Sequence, residues 1–174
     1  MVHKPRIQKI LVATDLSETA TQALAYAAGL AEICQATVTV LHVIEKLPPN
    51  AELLLTAFLG LGDVSELRRQ NQETLIAGIK AGIERFCTEA GDQIAACRFI
   101  LHEVIVEPGK AAERILEHAA TGAYDLLVVG NRGHGLVQEA LMGGTSRKVV
   151  RDCPIPVLVI PAAFFFSSRR RHTS

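Results

Sequence analysis

The clearest chemical signal in the sequence is a glycine-rich segment, residues 130–150, which reads GNRGHGLVQEALMGGTSRKVV. Gly130 and Gly133 are followed, after nine residues, by Gly143, and the run from Gly143 to Ser146 opens a helical pattern. Glycine lets the backbone approach a ligand closely and adopt positive φ angles. Amides at a helix start favour an anion by roughly 0.3–1 kcal/mol. The segment therefore predicts a phosphate site with two halves, one in the loop and one at the helix start.

Two better-known phosphate loops do not fit this spacing. Gly130 and Gly135 satisfy the GxxxxG part of a P-loop, but Leu136 and Val137 stand where that loop needs Lys and Ser or Thr. A GxGxxG dinucleotide motif would need a glycine where Gln138 stands, and it would follow the first strand rather than a later one. The segment is therefore a different kind of phosphate loop.

Other polar side chains are candidates for ligand contact. Asp15 follows the first predicted strand, where it could contact a ligand, cap the next helix, or do both. Arg132 and His134 lie in the glycine loop and either meet phosphate or are simply solvated. His42 and His102 lie within predicted strands, and we interpret both as half-buried structural residues.

An alternating pattern of strands and helices must position these residues. Short runs rich in Val, Ile and Leu are typical of strands buried on both faces, whereas apolar residues at intervals of three and four mark helices. We predict strands at residues 8–14, 37–44, 98–106, 125–129 and 155–160. The helices between them end at Cys34, Gly91, Gly122 and Val149, and the second of them begins at Asp63.

Two connecting segments carry predictions of their own. Pro108 and Gly109 predict a turn after the third strand. Residues 51–62, AELLLTAFLGLG, are too apolar for an ordinary solvated loop and too short to span a bilayer. We interpret them either as a short helix packed on the body of the protein or as part of a subunit contact.

Strands that alternate with helices predict an α/β fold, in which a doubly wound parallel sheet has helices on both faces and right-handed crossovers. Ligands of such sheets bind beyond the carboxyl ends of the strands, where the winding reverses. Pro154, Pro156 and Pro161 surround the last strand, and proline in a strand belongs at a sheet edge. We therefore expect Ile155–Ile160 to be an edge strand through which the chain forms a homodimer.

Length and charge limit the class of protein further. The 174 residues fit one domain, which we place at residues 1–162. Residues 163–174 resemble a translated sequencing adapter, and we interpret them as a non-native or disordered tail; the alternative is a native tail that touches acidic lipid. Without the three arginines of this tail, 15 basic side chains remain against 18 acidic ones, so we expect no nucleic-acid partner.

Location and metal content can also be predicted. No apolar run reaches about 18 residues, and the N-terminus lacks the hydrophobic core of a signal peptide. We therefore expect a cytoplasmic protein without a membrane partner. The four cysteines show neither CxxC pairing nor zinc-like spacing with His, so we expect reduced core residues and no metal site in the protein itself.

Taken together, these segments resemble the universal stress protein family. The nucleotide-binding branch of that family carries GxxG, nine residues, and a further glycine followed by Ser or Thr; Gly130, Gly133 and Gly143 fall at the three glycine positions. The resemblance extends from Gln8 to Pro161 and includes ILVATD near the start and CPIPVLVIP near the end. With this resemblance we expect a Rossmann-like, five-stranded sheet of order 3-2-1-4-5.

The resemblance also implies where each part of an adenine nucleotide would lie. The base and ribose would contact Ala13, Thr14 and Asp15, with Val43 beside the adenine and Val129 and Gly130 beside the ribose. The phosphates would be held by Gly133, Gly143, Gly144, Thr145 and Ser146, and Arg132 and His134 are further candidates. ATP, with or without Mg²⁺, is the first expected ligand, and AMP and cyclic AMP are alternatives.

The sequence departs from the family pattern at Gly144, where a Ser or Thr hydroxyl is expected. Losing one hydrogen bond to a charged phosphate would cost on the order of 1.5–3 kcal/mol, or ten- to a hundred-fold in affinity. Thr145 or Ser146 could supply a hydroxyl from a neighbouring position. We therefore predict phosphate binding that is weakened rather than abolished.

Three functions are compatible with these residues. The first is a stress-response regulatory protein whose dimer or partner contacts respond to an adenine nucleotide. The second is a slow ATP hydrolase, although phosphoryl transfer needs a metal held by placed oxygens, and only Asp15 stands out as an acid at the expected edge. We assign no catalytic residue. The third is a stress-response interaction module without nucleotide, in which the glycines are structural remnants.

Overall fold

The computed structural model describes three long stretches of the chain and a few residues between the first and second of them. The described residues are 6–45, 73, 76–78, 80–84, 101–131 and 142–161. Several predictions lie outside the described residues. They concern the segment 51–62, most of the second helix, Arg132, Gly133, His134 and the tail 163–174.

Five strands form one parallel sheet. They are β1 (Lys9–Thr14), β2 (Thr37–Glu45), β3 (Leu101–Gly109), β4 (Leu126–Gly130) and β5 (Val157–Ile160). Their order is β3-β2-β1-β4-β5, which confirms the predicted order and places β5 at one end. β1 and β4 are neighbours, with Ala13 opposite Val129. The winding of the chain reverses between these two strands, which is where sheets of this kind bind ligands.

Helices pack on both faces of the sheet, as predicted. They are α1 (Glu18–Cys34), α2 (Ala111–Ala120) and α3 (Gly144–Asp152), and the described residues between 76 and 84 are also helical. α1 and Ile83 belong to the core on one face, whereas Ile115 of α2 and Val149 of α3 belong to the core on the other. No helix of the described residues is long and apolar enough to cross a membrane.

The central strand β1 shows why the sequence has short, continuous apolar runs. Ile10 and Val12 pack into the core beside α1, while Leu11, between them, packs into the core beside α2 and α3. A strand covered on both faces needs apolar side chains at consecutive positions. The side of α1 that faces the sheet is built largely from alanine, including Ala23, Ala27 and Ala31. These small side chains let the helix backbone lie close to the strands.

The predicted turn at Pro108 and Gly109 is wrong, because both residues belong to β3. Pro108 lies opposite Ile44 and Gly109 opposite Glu45. Proline has no amide to donate, but β3 is the end strand of the described sheet, where a missing outward donor breaks no ladder hydrogen bond. The strand therefore runs three residues further than predicted, and α2 begins two residues after its end.

A carboxylate fixes the register of the two central strands at the amino end of the sheet. Asp125 Oδ2 accepts hydrogen bonds from the amides of Gln8 at 2.8 Å and Lys9 at 2.9 Å. The amide of Asp125 donates in turn to the carbonyl of Lys9 at 2.9 Å. These three bonds hold the start of β4 against the start of β1, so the carboxyl ends of the two strands are brought to the same height.

Candidate functional site

A cleft of about 490 Å³ opens at the carboxyl ends of β1, β2 and β4. The structure places ten of the predicted site residues around it. They are Ala13, Thr14, Asp15, Val43, Val129, Gly130, Gly143, Gly144, Thr145 and Ser146. A volume of this size suits a small organic ligand. That these residues bind one stays a prediction.

The turn between β1 and α1 holds Thr14 and Asp15 in place. Leu16 has a φ of 65°, a left-handed conformation that costs a residue with a side chain roughly 1–2 kcal/mol. Thr14 Oγ1 accepts a hydrogen bond from the amide of Leu16 at 3.1 Å, and Asp15 Oδ1 accepts one from the amide of Ser17 at 3.0 Å. Strain that the surrounding bonds support in this way is common at ligand sites.

The structure shows that Asp15 does not cap α1. Ser17 is the N-cap, and its hydroxyl oxygen accepts a hydrogen bond from the amide of Ala20 at 3.2 Å. The carboxylate of Asp15 instead closes the turn that precedes the helix. Asp15 lines the cleft as well, so its structural role is compatible with contact to a ligand.

The two strand histidines differ in their surroundings. His42 is half-buried, as predicted, and its Nδ1 lies 2.8 Å from the carbonyl oxygen of Thr14. A carbonyl oxygen can only accept, so Nδ1 carries the proton of this bond. His42 therefore ties β2 to the end of β1, and it also lines the cleft. His102 is exposed, so its predicted half-burial is wrong: it lies near the start of the end strand β3.

Two hydrogen bonds join the end of β4 to the start of α3. The hydroxyl of Ser146, which is only 8% exposed, donates to the carbonyl of Gly130 at 2.8 Å. The amide of Gly143 donates to the carbonyl of Asn131, also at 2.8 Å. The two predicted halves of the phosphate site are thus held together at their base. The hydroxyl proton of Ser146 is already used inside the protein.

The start of α3 lacks the groups that usually neutralise a helix end. α1 has Ser17 as its cap and Glu18 in its first turn, and α2 has Glu113 in its first turn. The cap residue of α3, Gly143, has no side chain to accept a hydrogen bond, and the first turn of α3 contains no acid. Of the three helices whose first turns are described, α3 alone lacks both. Among the described residues, no group accepts a hydrogen bond from the amides of residues 144–146, so these amides can bind an anion at the edge of the cleft.

Gly144 is not required by backbone geometry. Its φ lies outside the left-handed region, and a Cβ added there would meet no atom within 4 Å. A Ser at this position would fit, so the departure from the family pattern is a difference in chemistry and not in fold. Ser146 has committed its proton, whereas Thr145 is exposed at the cleft. Of the two substitutes predicted for the missing hydroxyl, Thr145 is the one with a hydroxyl available.

The rest of the cleft is apolar at one end and acidic at its margin. Leu41, Val43, Val129 and Ile115 pack in the core on this face of the sheet and line the cleft. Asp15 and Glu45 also line it. Apolar walls at one end and free amides at the other suit a ligand that combines a ring system with a phosphate group.

Sequence reasoning missed the contribution of α2 and the end of β2. Ala111 and Ile115 of α2 line the cleft, as do Ile44 and Glu45 of β2. The signal for these residues was present, because all strands of a parallel sheet end at the same edge and the helices that follow begin there. Arg147 of α3 is not among the residues that line the cleft; its guanidinium lies beside Met142, the residue that precedes the helix cap.

Comparisons with known proteins show which family the sequence matches. The model of the universal stress protein family matches residues 6–161. The universal stress protein YxiE of Bacillus subtilis is 31% identical over 153 residues, which cover 87% of this chain and 97% of YxiE. Universal stress protein MJ0577 of Methanocaldococcus jannaschii is 27% identical over 157 residues, which cover 88% of this chain and 94% of MJ0577.

Solved structures show the same fold. The structure of MJ0577 superposes with a TM-score of 0.69 at 26% identity, covering 90% of this chain and 96% of that one. A universal stress protein solved in complex with cAMP superposes with a TM-score of 0.55 at 21% identity, covering 89% of this chain and 97% of that one. At this identity the second likeness concerns the fold.

Proposed function

Because the chain belongs to the universal stress protein family, we propose that its cleft binds an adenine nucleotide, with ATP as the first candidate. The bound nucleotide would alter contacts between two copies of the chain or with a partner protein. The observation that carries this proposal is the cleft itself, in which apolar walls and the uncapped start of α3 share one space. A nucleotide has the matching pair of groups, a flat base and phosphates.

The surroundings of the cleft suggest an orientation for the ligand. The adenine would lie at the apolar end beside Val43, and the ribose between Asp15 and the end of β4 at Val129 and Gly130. The phosphates would then point to the amides at the start of α3. Mg²⁺ retains most of its water and binds through phosphates, so it would enter with ATP. Arg132, Gly133 and His134 stay predictions for the phosphate end.

AMP and cyclic AMP are the alternative ligands. A related protein of the same fold has been solved in complex with cAMP, and Gly144 lacks the hydroxyl that the family pattern offers to phosphate. Both facts favour a ligand with fewer phosphates. Thr145 and the free amides of α3 favour ATP. A direct comparison of the affinities for the three nucleotides decides between them.

The regulatory part of the proposal concerns β5. This strand is at one end of the described sheet and is bordered by prolines, so its outer edge is open to a second copy of the chain. β5 also follows α3 after only four residues, 153–156. A ligand at the start of α3 would therefore act close to the edge that pairs. We place this activity in the cytoplasm.

Calorimetric titration with ATP, AMP, cyclic AMP and GTP tests the binding claim. We expect adenine nucleotides to bind and GTP to bind more weakly. Ala13→Leu adds bulk at the cleft floor and should weaken binding at least ten-fold, whereas Ala120→Leu, an exposed position at the far end of α2, should not. Equal affinities for the unchanged chain and Ala13→Leu would show that the nucleotide binds elsewhere.

Phosphate release separates binding from hydrolysis. If the protein releases phosphate from ATP in the presence of magnesium, and Asp15→Ala abolishes that release, the slow hydrolase is the better description. If Asp15→Ala weakens ATP binding without any release in the unchanged chain, Asp15 has a recognition role only.

A further inference from the structure

Arg147 is the fourth residue of α3, and its side chain turns back towards the start of the helix. Its Nη2 donates a hydrogen bond to the carbonyl of Met142 at 3.1 Å. Met142 immediately precedes the cap residue Gly143. Side chains in a helix lean towards its N-terminus, so this position places the guanidinium level with the free amides of the first turn.

Within the part of the chain that the structure describes, Arg147 and the adjacent Lys148 form no ion pair, whereas three other basic residues do. Lys110 pairs with Glu113 at 3.1 Å, and Arg114 pairs with Glu117 at 2.7 Å. Arg151, one turn further along α3, pairs with Asp152 at 2.7 Å. Among the described residues, no carboxylate forms an ion pair with Arg147; its hydrogen-bond partner is a neutral carbonyl.

A cation at this place is unfavourable for the helix alone. The N-terminus of a helix carries a partial positive charge, so a second positive charge there destabilises it, and α3 has no acid in its first turn to offset this. Helix N-termini normally carry an acid and not a cation, and exceptions to this preference are expected where a ligand supplies the negative charge. An anion bound at the start of α3 would neutralise both the amides and the guanidinium.

We propose that Arg147 contacts the terminal phosphate of the bound nucleotide and sets the preference for ATP over AMP. This inference rests on the proposed function. Arg147 is not among the residues that line the cleft. In the proposed orientation the phosphate furthest from the ribose would extend past the start of α3 towards the guanidinium beside Met142, which can form two parallel hydrogen bonds with phosphate oxygens. Arg147 thereby compensates for the hydroxyl that Gly144 lacks.

A purely structural role would be to hold the end of the glycine segment through Met142. Arg147→Gln separates the two roles, because glutamine keeps a donor for the carbonyl but has no charge. Arg147→Lys keeps the charge and loses the forked geometry. Lys148→Gln is the matched control, since it removes one exposed positive charge from the same helix at the next residue.

Calorimetric titration of these variants with ATP and AMP tests the inference. We expect Arg147→Gln to weaken ATP binding about ten- to a hundred-fold and to leave AMP binding within about two-fold, because a lone phosphate lies further from the charge. Arg147→Lys should recover part of the ATP affinity, and Lys148→Gln should match the unchanged chain. The loss for Arg147→Gln should shrink as salt concentration rises.

Three outcomes would overturn the inference. Equal loss of ATP and AMP affinity in Arg147→Gln would assign the residue a structural role at Met142. Unchanged ATP affinity would show that the guanidinium does not reach the ligand, while the proposed function would stand. If the unchanged chain binds neither nucleotide, both the proposed function and the role of Arg147 fail.

Discussion

Thr145 and Ser146 are neighbours at the start of α3, but their hydroxyl groups differ in what they can still bind. The proton of Ser146 is used by the carbonyl of Gly130, inside the protein. Thr145 is exposed at the cleft. Beside them, Gly144 has room for a side chain and no backbone reason to be glycine. A hydroxyl added at position 144 should therefore strengthen phosphate binding without disturbing the fold.

Gly144→Ser should raise the affinity for ATP by about ten-fold, because it adds a hydroxyl beside the free amides and makes no clash. Adenosine, which has no phosphate, should bind both chains equally. Gly29→Ser is the control, since a Cβ at Gly29 of α1 also meets no atom within 4 Å. Calorimetric titration measures these affinities, and an unchanged ATP affinity in Gly144→Ser would speak against phosphate at this position.

At the scale of elements, hydrogen bonds that need no ligand join the end of β4 to the start of α3. Ser146 bridges α3 to Gly130, and Gly143 bridges it to Asn131. The amide of Asn131 donates in turn to the carbonyl of Ile160 in β5 at 2.8 Å. The phosphate end of the cleft and the edge strand are therefore connected through two residues at the end of β4.

Removing the hydroxyl of Ser146 should affect both stability and binding. We expect Ser146→Ala to lower the free energy of unfolding by about 1–2 kcal/mol, because it leaves the carbonyl of Gly130 unpaired in a nearly buried place, and to weaken ATP binding as the two halves loosen. Ser17→Ala deletes the cap of α1 at a similar cost of roughly 1 kcal/mol and should leave ATP affinity unchanged. Urea unfolding and calorimetry measure the two quantities; a Ser146→Ala protein with unaltered ATP affinity would show that the bridge does not position the ligand.

Asp125 joins the starts of β1 and β4, far from the cleft, and should therefore affect stability without affecting ligand binding. Its carboxylate accepts two amide hydrogen bonds at the amino end of β1. Asp125→Ala should lower the free energy of unfolding by about 2 kcal/mol, and Asp125→Asn, which keeps an acceptor oxygen, by less. ATP affinity should stay the same in both. If urea unfolding shows no loss for Asp125→Ala, these bonds do not hold the central strands together.

The fold was predictable from the sequence to the extent that local patterns decide it. Apolar runs such as that around Ile10 and Leu11 marked the strands, and their spacing from the helices implied the parallel sheet. Ten predicted site residues surround one cleft because parallel strands all end at the same edge. The interior bond of Ser146 and the backward turn of Arg147 were not predictable, since they depend on which way a side chain points after the helix has docked.

Pro108 shows where prediction from local sequence fails. A Pro-Gly pair usually marks a turn, but tertiary position overrides that preference when the strand lies at the end of the sheet. Sequence alone does not say which side of β3 is paired. The same lack of context made His102 look half-buried, although it is exposed near the start of that strand.

At the scale of the whole molecule, we expect a homodimer that pairs through β5. Sedimentation velocity at micromolar concentration should show twice the mass of one chain, both for the full sequence and for residues 1–162, because the pairing edge is Val157–Ile160 and not the tail. A monomer in both proteins would contradict this. A dimer only in the full chain would assign the association to residues 163–174.

The central claim is that the cleft holds an adenine nucleotide. Mass spectrometry of the material released when freshly purified protein is denatured by heat tests it most directly, with Ala13→Leu purified in parallel. We predict that an adenine nucleotide is released from the unchanged chain and little or none from the variant. Recovery of no nucleotide, together with no rise in melting temperature on adding ATP, AMP or cyclic AMP, would contradict the claim.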